Sequence, residues 1–153
     1  MKPVNPAELV EDALRMNNGA LVRHEVRVIR EYDKDLPEIV VDKHKLRQIL
    51  VNLICNAKNA CDESVRAEKV LTVRVAHPQG RLQISVSDNG VGIAQENLTR
   101  IFNHGFTTRK DGHGFGLHSG ALAAKEMGGA LLAESDGPGK GARFTVDFPV
   151  DGK

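Results

Sequence analysis

Asp88-Asn89-Gly90-Val91-Gly92-Ile93 is one compact motif of this chain, and Gly112-His113-Gly114-Phe115-Gly116-Leu117 is a second, with Thr107-Thr108-Arg109-Lys110 just ahead of it. Glycine accepts positive φ and lets a backbone approach a ligand with no Cβ between them, which is why loops that cradle phosphate use it. A helix that opens at Phe115 or Gly116 turns its free N–H groups and its dipole toward an anion, and Arg109 and Lys110 stand by as counter-charge. Each cluster alone is equally a surface turn. A carboxylate, spaced glycines and two cations in one stretch are the chemistry of a nucleotide site.

Two better-known phosphate motifs fail. A Walker loop ends Gly-Lys-Ser/Thr, and Gly139-Lys140-Gly141 lacks the hydroxyl that would hold magnesium. A dinucleotide fingerprint needs a third glycine where this chain has Leu117, and it must follow a strand directly; a polar loop stands there instead.

The elements that must position these residues are legible from periodicity. Asn5 as N-cap with Pro6 at the first position starts a helix to about Asn18, with Leu9, Val10, Ala13 and Leu14 on its apolar face and Gly19 near its end. Val26 and Val28 mark a strand, and Ile39-Val40-Val41 a short one after Pro37. Asp42 caps a second helix running to about Arg66. Leu46, Leu50, Leu53, Ala57 and Ala60 recur on its core face, while Lys45, Gln48, Asn52, Asn56, Asn59 and Glu63 form a polar stripe. Asparagine is a poor helix former, so three in line need a reason. A solvated face is one; the other is that an asparagine carbonyl is a hard oxygen ligand for magnesium, and the nearby glycine loops favour it. Two hairpins follow, Leu71–Val75 with Leu82–Val86, and 130–135 with 142–148, separated by a helix from Phe115 to about Met127. The second strand of the first hairpin delivers Asp88. The expectation is a mixed sheet with helices layered on one face.

Composition bounds the alternatives. The 153 residues, 41% of them hydrophobic, suit one compact core, so residues 1–153 are expected to form one domain. Basic and acidic residues number 21 and 20, which leaves no electrostatic footprint for nucleic acid. No apolar run approaches a membrane span and no signal peptide is present, so a cytoplasmic domain without direct membrane contact is expected, excised from a parent that is free to be membrane-anchored. Cys55 and Cys61 sit too far around one helix to bridge and read as small buried residues. The six histidines show no metal spacing, and His24 reads as a surface residue.

At this point the chain resembles the catalytic ATP-binding domain of two-component sensor histidine kinases, in the superfamily shared with gyrase, the ninety-kilodalton heat-shock chaperone and MutL. Leu46 to Ala57 resembles the N box, Asp88 to Gly92 the first glycine box, Ile101-Phe102 to Phe106 the F box, and Gly112 to Leu117 the second glycine box. The resemblance implies an α+β fold, a two-layer α/β sandwich of Bergerat type with a mobile ATP lid. It implies ATP and Mg2+ as ligands, with Asn56 as the metal ligand and Asn52 as a phosphate or metal contact one turn earlier. Asp88 would accept from the adenine amino group. Gly90, Gly92 and Ile93 would flank base and ribose; Asn59, Thr107, Thr108, Gly112, His113, Gly114, Phe115, Gly116 and Leu117 would lie around the nucleotide. Phe102 and Phe106 would anchor the lid, and Arg109 or Lys110 would reach the γ-phosphate.

Hydrolytic members of the superfamily carry a glutamate where this chain has Asn52, and a neutral amide is no general base. The resemblance therefore implies a γ-phosphate kept for a histidine on a separate dimerisation domain, and passed on to a response regulator receiver. A catalytically silent module that signals through its lid is the alternative. Departures from the pattern are Lys58, one place earlier than the lysine of many relatives; Asn103-His104-Gly105 in the F box; and Ala142 in place of Thr or Ser, which leaves one polar contact near adenine either missing or supplied by Thr145.

Overall fold

The computed structural model describes residues 3–64, 67–78, 80–98, 100–101 and 115–149. In chain order these form β1 (Pro3–Val4), α1 (Pro6–Met16), α2 (Asn18–Arg23), β2 (Val26–Tyr32), β3 (Ile39–Val40), α3 (Lys43–Asp62), β4 (Lys69–Ala76), β5 (Arg81–Asp88), α4 (Gln95–Leu98), α5 (Phe115–Glu126), β6 (Ala130–Glu134) and β7 (Ala142–Pro149).

The long helices begin where their caps dictate. Asn5 Oδ1 accepts from the N–H groups of Ala7 at 2.9 Å and Glu8 at 3.3 Å, and Asp42 Oδ1 accepts from Lys45 at 3.1 Å. Their ends differ from expectation. The first helix stops at Met16 and a second, short helix follows with Gly19 inside it rather than after it. Tertiary anchoring outweighs the glycine: Leu21 is buried, and the Asn17 amide donates to the Ala13 carbonyl at 3.2 Å. α3 ends at Asp62 rather than near Arg66, where the Ser64 N–H closes a tighter turn onto the Cys61 carbonyl at 3.1 Å.

Five strands form one mixed sheet in the order β2-β4-β5-β7-β6, and β1 pairs with β3 apart from it. Only β2 and β4 run parallel, as strands joined through a helical crossover, here α3, can; the other pairs are antiparallel. Strand alternation assigns the two faces. Leu71, Val73 and Val75, then Leu82, Ile84 and Val86, then Phe144, Val146 and Phe148 are all buried on one side. α3 supplies Leu46, Ile49, Leu50, Leu53, Ile54 and Ala57 to the same core, and α1 and α5 flank it. The opposite face carries Thr72 and Arg74, Gln83, Ser85 and Ser87, and Arg143, Thr145 and Asp147. Each fully buried Leu or Ile contributes about 1.5 to 3 kcal/mol relative to exposure, so this single core fixes which ends of the central strands lie beside α3. None of the described helices is long and apolar enough to cross a membrane.

Candidate functional site

β5 is the middle strand, and Asp88 is its last residue, paired with Leu71 on one side and Ala142 on the other. Its side chain shares the helical face with Leu82, Ile84 and Val86. Two backbone donors hold the carboxylate: the Gly90 N–H, at 2.8 Å from Oδ1, and the N–H of Ala142. Among the described residues no cation pairs with it. Burial outweighs the two donors and pushes its pKa up to about 6.

The loop after Asp88 is clamped on three sides. Against α3, the Val91 N–H donates to the Ala60 carbonyl at 3.1 Å, and a Cβ on Gly90 would stand 2.4 Å from that same carbonyl group. Against β4, Asn89 Oδ1 accepts from the Val70 N–H at 2.8 Å while its amide donates to the Glu68 carbonyl at 2.9 Å. Against the β6–β7 turn, the Gly139 N–H donates to the Val91 carbonyl at 2.7 Å, and Gly92, at φ +74°, presses on the Gly137 carbonyl. Sequence reasoning gave Asn89 no role of its own and missed Ser135 and Gly141 as parts of this assembly. Ser135 reads as a strand end and residues 136 to 141 as the turn after it, and nothing in their spacing shows what that turn packs on. Asp88 also borders a cleft of about 400 Å³ walled by Ser135, Asp136, Lys140, Gly141 and Ala142.

The asparagine stripe of α3 resolves into three environments. Asn52 Oδ1 accepts from the Gln48 amide at 3.2 Å, and the Asn59 amide lies 3.7 Å from Cys55 Sγ. Asn56 Nδ2 is buried with no hydrogen-bond partner among the described residues. Such an unmet donor costs about 1 to 3 kcal/mol, so the site is short of one oxygen-rich partner. A phosphate oxygen or a cation-bound water would supply it, and an amide that flips can equally turn its oxygen to a cation. The donor chemistry therefore fits magnesium, which takes one or two protein oxygens and completes its shell with phosphate and water.

Other expected positions fall as follows. Ile93 is partly buried against the core and its N–H donates to Ser135 Oγ at 3.0 Å. Phe115, Gly116 and Leu117 open α5, with Leu117 partly buried. Phe102, Phe106, Thr107, Thr108, Arg109, Lys110, Gly112, His113 and Gly114 lie outside the described residues. Thr145 is corrected: it sits three positions beyond Ala142, on the opposite sheet face from Asp88, and its hydroxyl is spent on Ser85 at 2.9 Å. An odd offset along a strand reverses the side chain, so Thr145 does not replace the hydroxyl missing at Ala142. Lys58 also turns away, two residues past Asn56 on the helix, and pairs with Asp62 at 3.7 Å; Asp62 in turn lies 3.1 Å from His24 Nδ1. Cys61 is buried, with its thiol pushed up to about 11 chiefly by burial, whereas Cys55 is only partly buried, against expectation. No cluster of metal-ligating side chains appears among the described residues.

Comparison with known proteins places this geometry. Residues 41–152 match the family described as histidine kinase-, DNA gyrase B-, and HSP90-like ATPase. The sensor histidine kinase ZraS of Klebsiella oxytoca is 41% identical over 119 residues, covering 77% of this chain and 25% of the relative. ZraS of Escherichia coli K12 is 31% identical over 160 residues, covering 97% of this chain and 33% of the relative. The chain thus spans a quarter to a third of the length of these curated relatives. Among solved structures, full-length ShkA in complex with AMPPNP superposes with a TM-score of 0.85 at 27% identity, over 97% of this chain and 31% of that one. The nucleotide-free catalytic domain of the histidine kinase ThkA superposes with a TM-score of 0.85 at 22% identity, over 98% of this chain and 97% of that one, a likeness of fold.

Proposed function

The chain belongs to the histidine kinase-, DNA gyrase B-, and HSP90-like ATPase family, and from that membership we propose that it binds Mg-ATP and donates the γ-phosphate to a histidine on a separate dimerisation domain of a sensor kinase. The observation that carries the reading is the Asp88 carboxylate, partly buried, fixed by the N–H groups of Gly90 and Ala142 and free of any described counter-cation. Such a group is a ready acceptor for a ligand N–H. The exocyclic amino group of adenine offers one, whereas guanine presents a carbonyl at the same position and would meet like polarity.

The other roles follow from placement. Gly90 and Gly92 keep the approach to Asp88 free of side chains. Asn56, with Asn52 one turn before it on α3, faces the phosphates, and Asn56 would hold the metal. A magnesium ion held there would supply positive charge against the phosphate oxygens. Arg109 and Lys110 would add positive charge at the γ-phosphate. Asn52 has no proton affinity with which to activate water, so intrinsic hydrolysis is slow and the phosphoryl group waits for an imidazole nitrogen.

For Asn56→Ala, magnesium-dependent affinity for a non-hydrolysable ATP analogue is expected to fall by roughly tenfold, the scale of one lost polar contact, while binding in chelator stays near wild type. Equal loss with and without magnesium would take Asn56 away from the metal. The activity itself is tested by supplying a histidine-bearing dimerisation domain in trans with labelled Mg-ATP. Acid-labile label on that histidine is the expected outcome. Intact nucleotide binding with no transfer would support the silent signalling module instead. A response regulator receiver is the partner proposed downstream.

A further inference from the structure

We infer that Ser135 is a positioning residue for base selectivity, acting through the two backbone segments that hold Asp88; the inference rests on the ATP-binding reading proposed above. Ser135 lies just after β6, partly buried, and its hydroxyl makes three contacts within 3.2 Å. Its Oγ accepts from the Ile93 N–H at 3.0 Å and the Gly137 N–H at 3.2 Å, and donates to the Gly141 carbonyl at 2.7 Å. A serine hydroxyl has one donor and two acceptor lone pairs, so its capacity is used in full.

The targets of those bonds give the contacts their meaning. Ile93 ends the loop that contains Gly90, whose N–H donates to Asp88 Oδ1 at 2.8 Å. Gly141 immediately precedes Ala142, the second backbone donor to the same carboxylate. Gly141 also packs against the Asp88 main chain, where an added Cβ would lie 2.1 Å from the Asp88 carbonyl oxygen. The hydroxyl thus ties together the two strands of chain that aim the base-reading carboxylate. Without it the Ile93 and Gly137 N–H groups and the Gly141 carbonyl lose a shared partner, and the Gly90 and Ala142 donors are free to shift relative to each other. Small displacements of an aiming group weaken a directed contact more than they weaken general affinity.

A serine that only stabilised the turn would lower thermal stability and leave base preference alone, so preference is the readout. The complete chain is titrated calorimetrically with AMPPNP and with its guanine counterpart, as wild type, Ser135→Ala and Ser135→Cys, with melting temperatures recorded alongside. Cysteine keeps the size of serine and gives up most of its hydrogen-bonding strength, so it serves where alanine fails to fold. The expected result is a loss of about tenfold in AMPPNP affinity with little change for the guanine analogue, the scale of one well-aimed hydrogen bond. An unchanged preference in a folded variant overturns the inference while the ATP-binding reading stands. A wild-type chain that binds neither analogue overturns that reading, and this inference with it.

Discussion

Asp88→Asn is expected to bind a non-hydrolysable ATP analogue about 1.5 to 3 kcal/mol more weakly than wild type, and to melt higher without nucleotide. The two effects have one cause. The carboxylate offers two oxygens, enough for Gly90, Ala142 and an adenine amino group together; an asparagine offers one, and its amide nitrogen would face the ligand amino group donor to donor. Burial, meanwhile, raises the Asp88 pKa from 3.8 to about 6. A carboxyl with a raised folded-state pKa lends stability that is fully present below pH 3.8 and lost as pH rises through 6. At neutral pH the ionised, uncountered group therefore costs the apo domain roughly 2 to 3 kcal/mol, which asparagine does not. Nucleotide binding has the opposite dependence, because the ionised form is the better acceptor. Affinity should fall as pH drops through about 6 in wild type and stay flat in Asp88→Asn, and wild type should release protons on binding near that pH. Calorimetry in buffers of different ionisation enthalpy reads both. A variant with wild-type affinity, or a wild type with pH-independent binding, would remove Asp88 from the base site.

Gly90→Ala is expected to destabilise the domain by about 3 kcal/mol or more, roughly 10 °C in melting temperature, and to abolish tight nucleotide binding. The added Cβ would lie 2.4 Å from both the carbon and the oxygen of the Ala60 carbonyl and 2.8 Å from the Cys61 nitrogen. Those atoms are backbone in the last turn of α3, where Cys61 is buried in the core, so relief requires the loop to lift off. Lifting it breaks the Val91 to Ala60 hydrogen bond and swings the Gly90 N–H from Asp88. Gly19→Ala is the control: its Cβ position is open, it lies in a helix, and substitution there should stabilise by about 0.5 to 1 kcal/mol. Thermal melts of the two variants against wild type decide it. Equal stability of Gly90→Ala and wild type would mean the loop does not rest on α3.

Much of this was readable from residue order because the signals are local. The Asn5 and Asp42 caps, the alternation in β4, β5 and β7, and the heptad-like spacing along α3 each fix an element within a few residues. Asp88 at a strand end and asparagines on one helical stripe follow from those periods. Failures occurred where a distant partner outweighed local preference, as when buried Leu21 carried a helix through Gly19. Thr145 failed for a simpler reason: its odd offset from Ala142 along β7 turns it to the other face, where it pairs with Ser85.

The sequence by itself determined the family, the mixed sheet under helices and the chemical types gathered at the site, since composition, period and motif are properties of order along the chain. Only the tertiary structure decided how Asp88 is aimed. Its carboxylate is held by donors from residues 90 and 142, and by a hydroxyl at 135 that steadies both. Contacts that join residues forty or more positions apart arise from strand pairing and loop docking, and those leave no period to read.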